Sequence, residues 1–138
     1  MSFYWAAGGL IGVETLGEGM KELALSRDPE LLALTWITGV LKLIGGLVAL
    51  ALVQPWGRRI PRRLLLIAGG GGGLLTLLNG VGNLIQHSLI LAGQLPIPDL
   101  LRSMTAVRWH LFFWDPYWIV GGVLFLLAAW YASRSDGR

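Results

Sequence analysis

"GGLIGVETLGEGMKEL", residues 8–23, decides how many times this chain crosses a membrane. It opens as an apolar, glycine-rich run and then places Glu14 and Glu18 four residues apart, on one face if the run is helical. An ionised carboxylate at mid-bilayer costs roughly 2.5–3.5 kcal/mol on insertion scales. Two in one span need partners or a task.

The rest of the chain makes the membrane setting plain. Of 138 residues, 54% are hydrophobic and 14% charged, with mean hydropathy +0.63. A soluble domain carries about 25% charged residues. The eight acids and eleven bases gather in three short stretches and at the C-terminus, leaving four long apolar segments. This describes an integral membrane protein with one domain over residues 1–138. The absence of cysteine excludes disulfides, thiolate metal sites, iron–sulfur clusters and cysteine nucleophiles. "MSFYWAAGGL" has no basic start, so a cleaved signal peptide is not expected.

The expected fold is an all-α membrane protein, a four-transmembrane-helix bundle with spans at about 3–25, 31–53, 64–92 and 116–132. Asp28, Pro29 and Glu30 form a helix start ahead of the second span. "QPWGRRIPRR" ends it with two prolines, a glycine and four arginines. By the positive-inside rule, Arg58, Arg59, Arg62 and Arg63 put this loop in the cytoplasm, and four spans then put both termini there. Topology accounts for the arginines, so a nucleic-acid partner is not expected. In the third connector, Ile97, Leu100, Leu101, Met104, Val107 and Leu111 recur at helical spacing, which predicts a short amphipathic interfacial helix before the last span. Trp109, Trp114, Tyr117 and Trp118 suit an interfacial aromatic belt. Asp115-Pro116 reads as an N-cap and first-turn proline that end this helix and start the fourth span.

Depth follows from the 1.5 Å rise per residue. Glu14 and Lys42 both come out on the order of 17 Å above the cytoplasmic helix ends. They are expected to pair, as a register-fixing ion pair or as the floor of a cavity with a carboxylate able to exchange protons. Glu18, one turn higher, is the freer acid. Thr35 and Thr38 share the Lys42 side of the second helix, and Thr76, Asn79, Asn83 and His87 form a stripe up the third, toward His110 and Asp115. A bundle with these stripes inward holds an outward-facing polar cavity. The predicted site comprises Glu14 and Glu18 as catalytic groups, with Thr38, Lys42, Asn79, Asn83, His87, His110, Trp114 and Asp115 as ligand-binding groups. Each has a plainer use as well: asparagines join membrane helices, interfacial histidines are tolerated, and tryptophans anchor. A ring lining the cavity could also steady a cation, Trp36 or Trp114 above all.

No His-x₃-His or Glu-x-x-His spacing is present, so no metal is expected, and the cofactor is unknown. No nucleophile signature surrounds the serines or threonines. "GGGGG" at 69–73 lacks the following Gly-Lys-Ser/Thr of a phosphate loop; close helix packing explains it better than a hinge.

With Glu14, "PWGRRIPRR" and "WHLFFWDPYWIVGGVLF", the chain resembles an uncharacterised family of small four-helix bacterial membrane proteins frequent in actinomycetes. That resemblance implies the topology and a bacterial plasma membrane, and brings no activity. "YWAAGGLIGVETLGEGMKE" is similar in layout to the first helix of small multidrug resistance transporters, whose proton-coupled carboxylate would fall at Glu14; Lys42 and the long aromatic connector depart from them. A fainter likeness is to the sterol-isomerase and emopamil-binding fold, with no residue-by-residue motif.

The leading expectation is a protein that binds a hydrophobic or amphiphilic small molecule in the polar cavity, extended to acid–base chemistry of isomerase, cyclase or hydrolase kind. Whether it is an enzyme stays open. The alternatives are a proton-coupled small transporter, and an accessory or structural subunit. Expected partners are membrane lipids, the small-molecule ligand, and a second copy or a larger membrane complex.

Overall fold

Asp28 opens the long apolar run of residues 31–53, and it caps as its position predicts. Its Oδ1 accepts from the Leu31 N–H at 2.9 Å, satisfying one of the free donors of the first turn. The computed structural model describes residues 2–134, and among these there is no strand. We number its α-helices α1 (Ser2–Ala6), α2 (Glu18–Leu25), α3 (Pro29–Val53), α4 (Arg62–Leu91), α5 (Met104–Trp109) and α6 (Asp115–Arg134). A 3-10 turn at Val13–Leu16 precedes α2. A π-helical turn at His110–Trp114 joins α5 to α6, giving one helical stretch over Met104–Arg134.

Three helices are long and apolar enough to cross a membrane: Pro29–Val53, Arg62–Leu91 and Met104–Arg134. Leu34, Ile37, Leu41, Ile44 and Leu47 of α3 are each at least half exposed, an outward apolar surface that water would penalise and lipid tails accept. α3 and α4 match the expected second and third spans to within two residues.

The expected first span, 3–25, is not one helix. Gly8, Gly12 and Gly17 have φ of +97°, +79° and +121°, values an α-helix does not contain and non-glycine residues rarely adopt. The segment is cut into α1, the 3-10 turn and α2. Gly17 and Gly19 then let this segment run against backbone. A Cβ on Gly17 would lie 2.6 Å from Leu101 Cα, and one on Gly19 would lie 2.6 Å from Asp99 O. The Glu18 N–H donates to Leu101 O at 3.1 Å and the Met20 N–H to Leu100 O at 3.3 Å.

The expected interfacial helix also differs. Residues 92–103 are mostly turn and loop. Ser103 caps α5 by accepting from Ala106 N–H at 3.1 Å, and α5 continues into α6. Ile97, Leu101 and Val107, assigned from their spacing to one amphipathic helix, do pack together, with Ile90 and Ala106. Asp115 is not an N-cap. It is helical at φ −67°, and its N–H donates to His110 O, five residues back. Pro116 has no N–H to give, and the wider turn before it removes the clash and the lost bond that a proline brings inside an α-helix.

By packing, the chain divides into two compact units, Met1–Leu41 with Gly82–Pro116, and Lys42–Val81 with Tyr117–Arg138. In the second, the glycine run is unbroken α-helix and packs closely at its two ends, Gly69 and Gly73. A Cβ on Gly73 would lie 2.8 Å from Phe125 Cβ, and one on Gly122 would lie 2.6 Å from Leu77 N, while Gly70, Gly71 and Gly72 face open space. This unit also has a cavity of 750 Å³ at the arginine loop, lined by Arg58, Arg59 and Arg62 with Ala51, Pro61 and Leu65.

Candidate functional site

The first unit gathers polar groups where the rest of the chain is apolar. His87 comes from the last turns of α4, His110 from the start of the π turn, and Asp115 from the first residue of α6. The turn is what aims Asp115: it places the carboxylate so that Oδ2 lies 2.6 Å from His87 Nδ1. Asp115 is fully buried and His87 is 6% exposed. A carboxylate so buried is tolerated only when it is paired or hydrogen-bonded, and the imidazole supplies that. The hydrogen bond also assigns the ring. With Nδ1 turned to the carboxylate, His87 is left with Nε2 for other work.

His110 lies beside them, its ring centroid 4.9 Å from that of His87. One donor atom from each of His87, His110 and Asp115 lies within 4.8 Å of the others. Two polar atoms of the group, His110 Nε2 and Asp115 Oδ1, are buried and make no hydrogen bond among the described residues. A buried polar atom without a partner costs about 1–3 kcal/mol. Two in one cluster, with lone pairs to offer, ask for a ligand.

The broken N-terminal segment borders this group. The Leu16 carbonyl, at the end of the 3-10 turn, accepts from the His110 ring. Trp114 Nε1 donates to Thr15 Oγ1 at 3.3 Å, and the Trp5 and Trp114 rings are 6.2 Å apart. At the edge, Arg102 Nη1 meets Glu22 Oε2 at 2.8 Å.

Of the predicted site residues, then, His87, His110 and Asp115 converge, and Trp114 stands next to them. The others of the first unit do not join them, and Lys42 and Asn79 belong to the second unit. Glu14 is exposed on the 3-10 turn, and the depth that paired it with Lys42 was counted along a helix that does not form. Among the described residues Glu14 makes no ion pair. The Lys42 Nζ instead sits 5.4 Å from the centroid of the Trp118 ring, a cation–π distance. Trp36, expected to be able to steady a cation, packs on Phe3 at 5.7 Å. Glu18 is exposed and 3.9 Å from Lys21. Thr38 Oγ1 donates to Thr35 O at 3.0 Å, within its own helix. Asn79 is exposed, Asn83 is half-buried, and neither makes a hydrogen bond among the described residues.

Sequence reasoning placed His87, His110 and Asp115 near one level but missed their contact, and it missed Thr15 and Leu16 altogether. The available signal was Asp115 itself, an acid inside "HLFFWDPYWIV", read too readily as a cap. The absence of a local metal-ligand spacing was uninformative, because the three residues come together from two separate helical stretches.

Neither the curated proteins nor the solved structures gave a match to this chain. A family profile, by contrast, matches nearly its whole length, residues 1–125, and takes in all three members of the His–Asp–His cluster. The chain belongs to the family described as Protein of unknown function (DUF3995).

Proposed function

We propose that this is a membrane protein whose His87–Asp115–His110 centre holds the polar head of an amphiphilic small molecule and exchanges a proton with it. The observation that carries the reading is the 2.6 Å bond between buried His87 Nδ1 and Asp115 Oδ2. A carboxylate on one imidazole nitrogen orients the ring and fixes its tautomer, which leaves the other nitrogen to act as acid or base. The unsatisfied His110 Nε2 and Asp115 Oδ1 supply further head-group contacts. Exposed apolar side chains such as Phe112 and Phe113 on the π turn offer a surface for the tail. In this reading Glu14 and Glu18 leave the chemistry, because neither reaches the centre.

The same reading uses three spans. The arginine loop is cytoplasmic by the positive-inside rule, which places the His–Asp–His ends of α4 and α6 on the outer side of a bacterial plasma membrane. The N-terminal segment lies on that outer side too, and the C-terminus is cytoplasmic. A fourth span over 3–25 would require Gly8, Gly12 and Gly17 to leave their positive φ values and the segment to give up its bonds to Leu100 and Leu101.

The test is to purify the full chain in mild detergent and compare the amphiphiles that co-purify with wild type and with His87→Gln. Loss of one species from the variant, with both proteins equally monodisperse, is the expected result. Identical lipid profiles would remove the head-group role.

A further inference from the structure

Two imidazoles and a carboxylate, with His87 and Asp115 buried and His110 half-buried, form a donor set that suits a borderline divalent transition metal. We infer that His87, His110 and Asp115 are the protein ligands of a divalent transition-metal ion of the zinc, iron(II) or cobalt(II) class. The inference shares the location of the proposed amphiphile site but does not require the amphiphile.

Four observations converge on it. The donors number three, which leaves coordination positions open for water or a ligand, as in metal sites that do chemistry. Their atoms lie within 4.8 Å of one another, and the closest pair is at 2.6 Å. Donors on a tetrahedral ion with bonds of about 2.1 Å stand about 3.4 Å apart, between those two values. A bound ion would stand in place of the proton between His87 and Asp115, widening that contact and drawing His110 in. The unsatisfied atoms, His110 Nε2 and Asp115 Oδ1, are the very lone pairs an ion would take, and Asp115 is fully buried. Finally, the surroundings are those of a metal site. The Leu16 backbone acts on the His110 ring from outside, as outer-shell groups orient ligating histidines. Glu22 of α2 is not among these donors: it is exposed and committed to Arg102 at 2.8 Å.

Asp115 has a double use in this arrangement. With the ion bound, its carboxylate neutralises one positive charge in a buried setting. The same carboxylate also bonds His87, so metal removal should leave a folded cluster.

The full chain in detergent micelles, stripped with a chelator and titrated with Co²⁺ alone, tests the inference. Wild type should bind one Co²⁺ per chain by elemental mass spectrometry, with visible d–d absorption that Zn²⁺ displaces. Glu22→Gln should behave identically, whereas His110→Gln and Asp115→Asn should each weaken binding at least about 100-fold, as loss of a direct ligand exceeds the 10–100-fold effect of losing its outer support. His110→Cys does not depend on a loss: it keeps a donor and should add a thiolate-to-cobalt charge-transfer band in the near ultraviolet. Wild type binding less than about a tenth of an ion per chain overturns the inference, as does equal loading of wild type, His110→Gln and Asp115→Asn, or a Cys variant that binds Co²⁺ without the new band. Retention of the co-purifying amphiphile by chelator-stripped protein that binds no Co²⁺ would sink the metal site and leave the proposed function standing. Stoichiometric Co²⁺ with no amphiphile dependence on His87 would do the reverse.

Discussion

The two units of this chain are held by opposite means. In one, Met1–Leu41 with Gly82–Pro116, the backbone is irregular, and the interior includes a His–Asp hydrogen bond, a tryptophan–threonine bond and carbonyls that accept from the N-terminal segment. In the other, Lys42–Val81 with Tyr117–Arg138, regular helices approach through glycines, and contacts such as Gly122 against Leu77 and Gly73 are bare backbone on backbone. In lipid, apolar side chains gain little from meeting one another, since the tails are as apolar as they are. A membrane helix must therefore associate either by close van der Waals fit or by polar bonds. This protein uses one solution in each unit, and the polar solution is the one that leaves atoms free for chemistry.

The contrast can be broken most severely at Asp115. Asp115→Ala removes the partner of buried His87 and leaves its ring unsatisfied, and it should destabilise the protein by about 3 kcal/mol. Asp115→Asn, which keeps an acceptor, should cost about half that, by the same difference between charged and neutral hydrogen bonds. Chemical unfolding in mixed micelles, followed by tryptophan fluorescence, measures both; equal and small effects would mean that the bond contributes nothing to the first unit.

A smaller effect sharpens the other side. Gly122→Ala puts a Cβ 2.6 Å from Leu77 N and 2.8 Å from Gly73 O, which should cost about 1–3 kcal/mol as the helices move apart. Gly71→Ala meets nothing within 4 Å and should instead stabilise by up to about 1 kcal/mol through helix propensity. Opposite signs for these two variants are the signature of a packing role for the glycine run; a shared sign would point back to a hinge. The least effect belongs to the exposed Arg102–Glu22 pair. Arg102→Ala should change stability by no more than about 1 kcal/mol, and high salt should erase the difference.

How legible this was from residues alone varied with the kind of signal. α3 and α4 are long apolar runs with a cap at one end and a proline–arginine loop between them, and both were readable almost to the residue. The glycine run's use in packing was readable from the small-residue logic of membrane helices. The N-terminal segment misled because its hydropathy is that of a span, whereas its fate rests on three glycines in positive-φ conformations and on backbone bonds to residues about eighty positions later. No local pattern encodes such partners. Asp115-Pro116 misled for a related reason. The pair is a strong cap signal locally, and the π turn that admits both into a continuous helix is stabilised by a histidine twenty-eight residues away. The residue pattern marks all three members of the centre as ligand-binding groups, but gives the carboxylates of the N-terminal segment the greater weight.

The π turn makes the centre sensitive to chain length in a way that substitutions are not. In a uniform α-helix each residue advances the facing by roughly 100°. The wider turn at His110–Trp114 changes that phase, so that Ala106 and Val107 point into the core while Asp115, on the same helical stretch, meets His87. Deleting a single residue between Leu111 and Trp114 would let the helix wind uniformly with Asp115 facing much as before, because the turn takes up about one extra residue, whereas inserting one would turn Asp115 away from His87 by about 100°. All three donor residues would still be present, yet no longer face one another. The local winding of one helix thus acts as a rotary key for the centre, and a single-residue insertion there should switch it off more completely than many changes of side chain, while a single deletion should be tolerated.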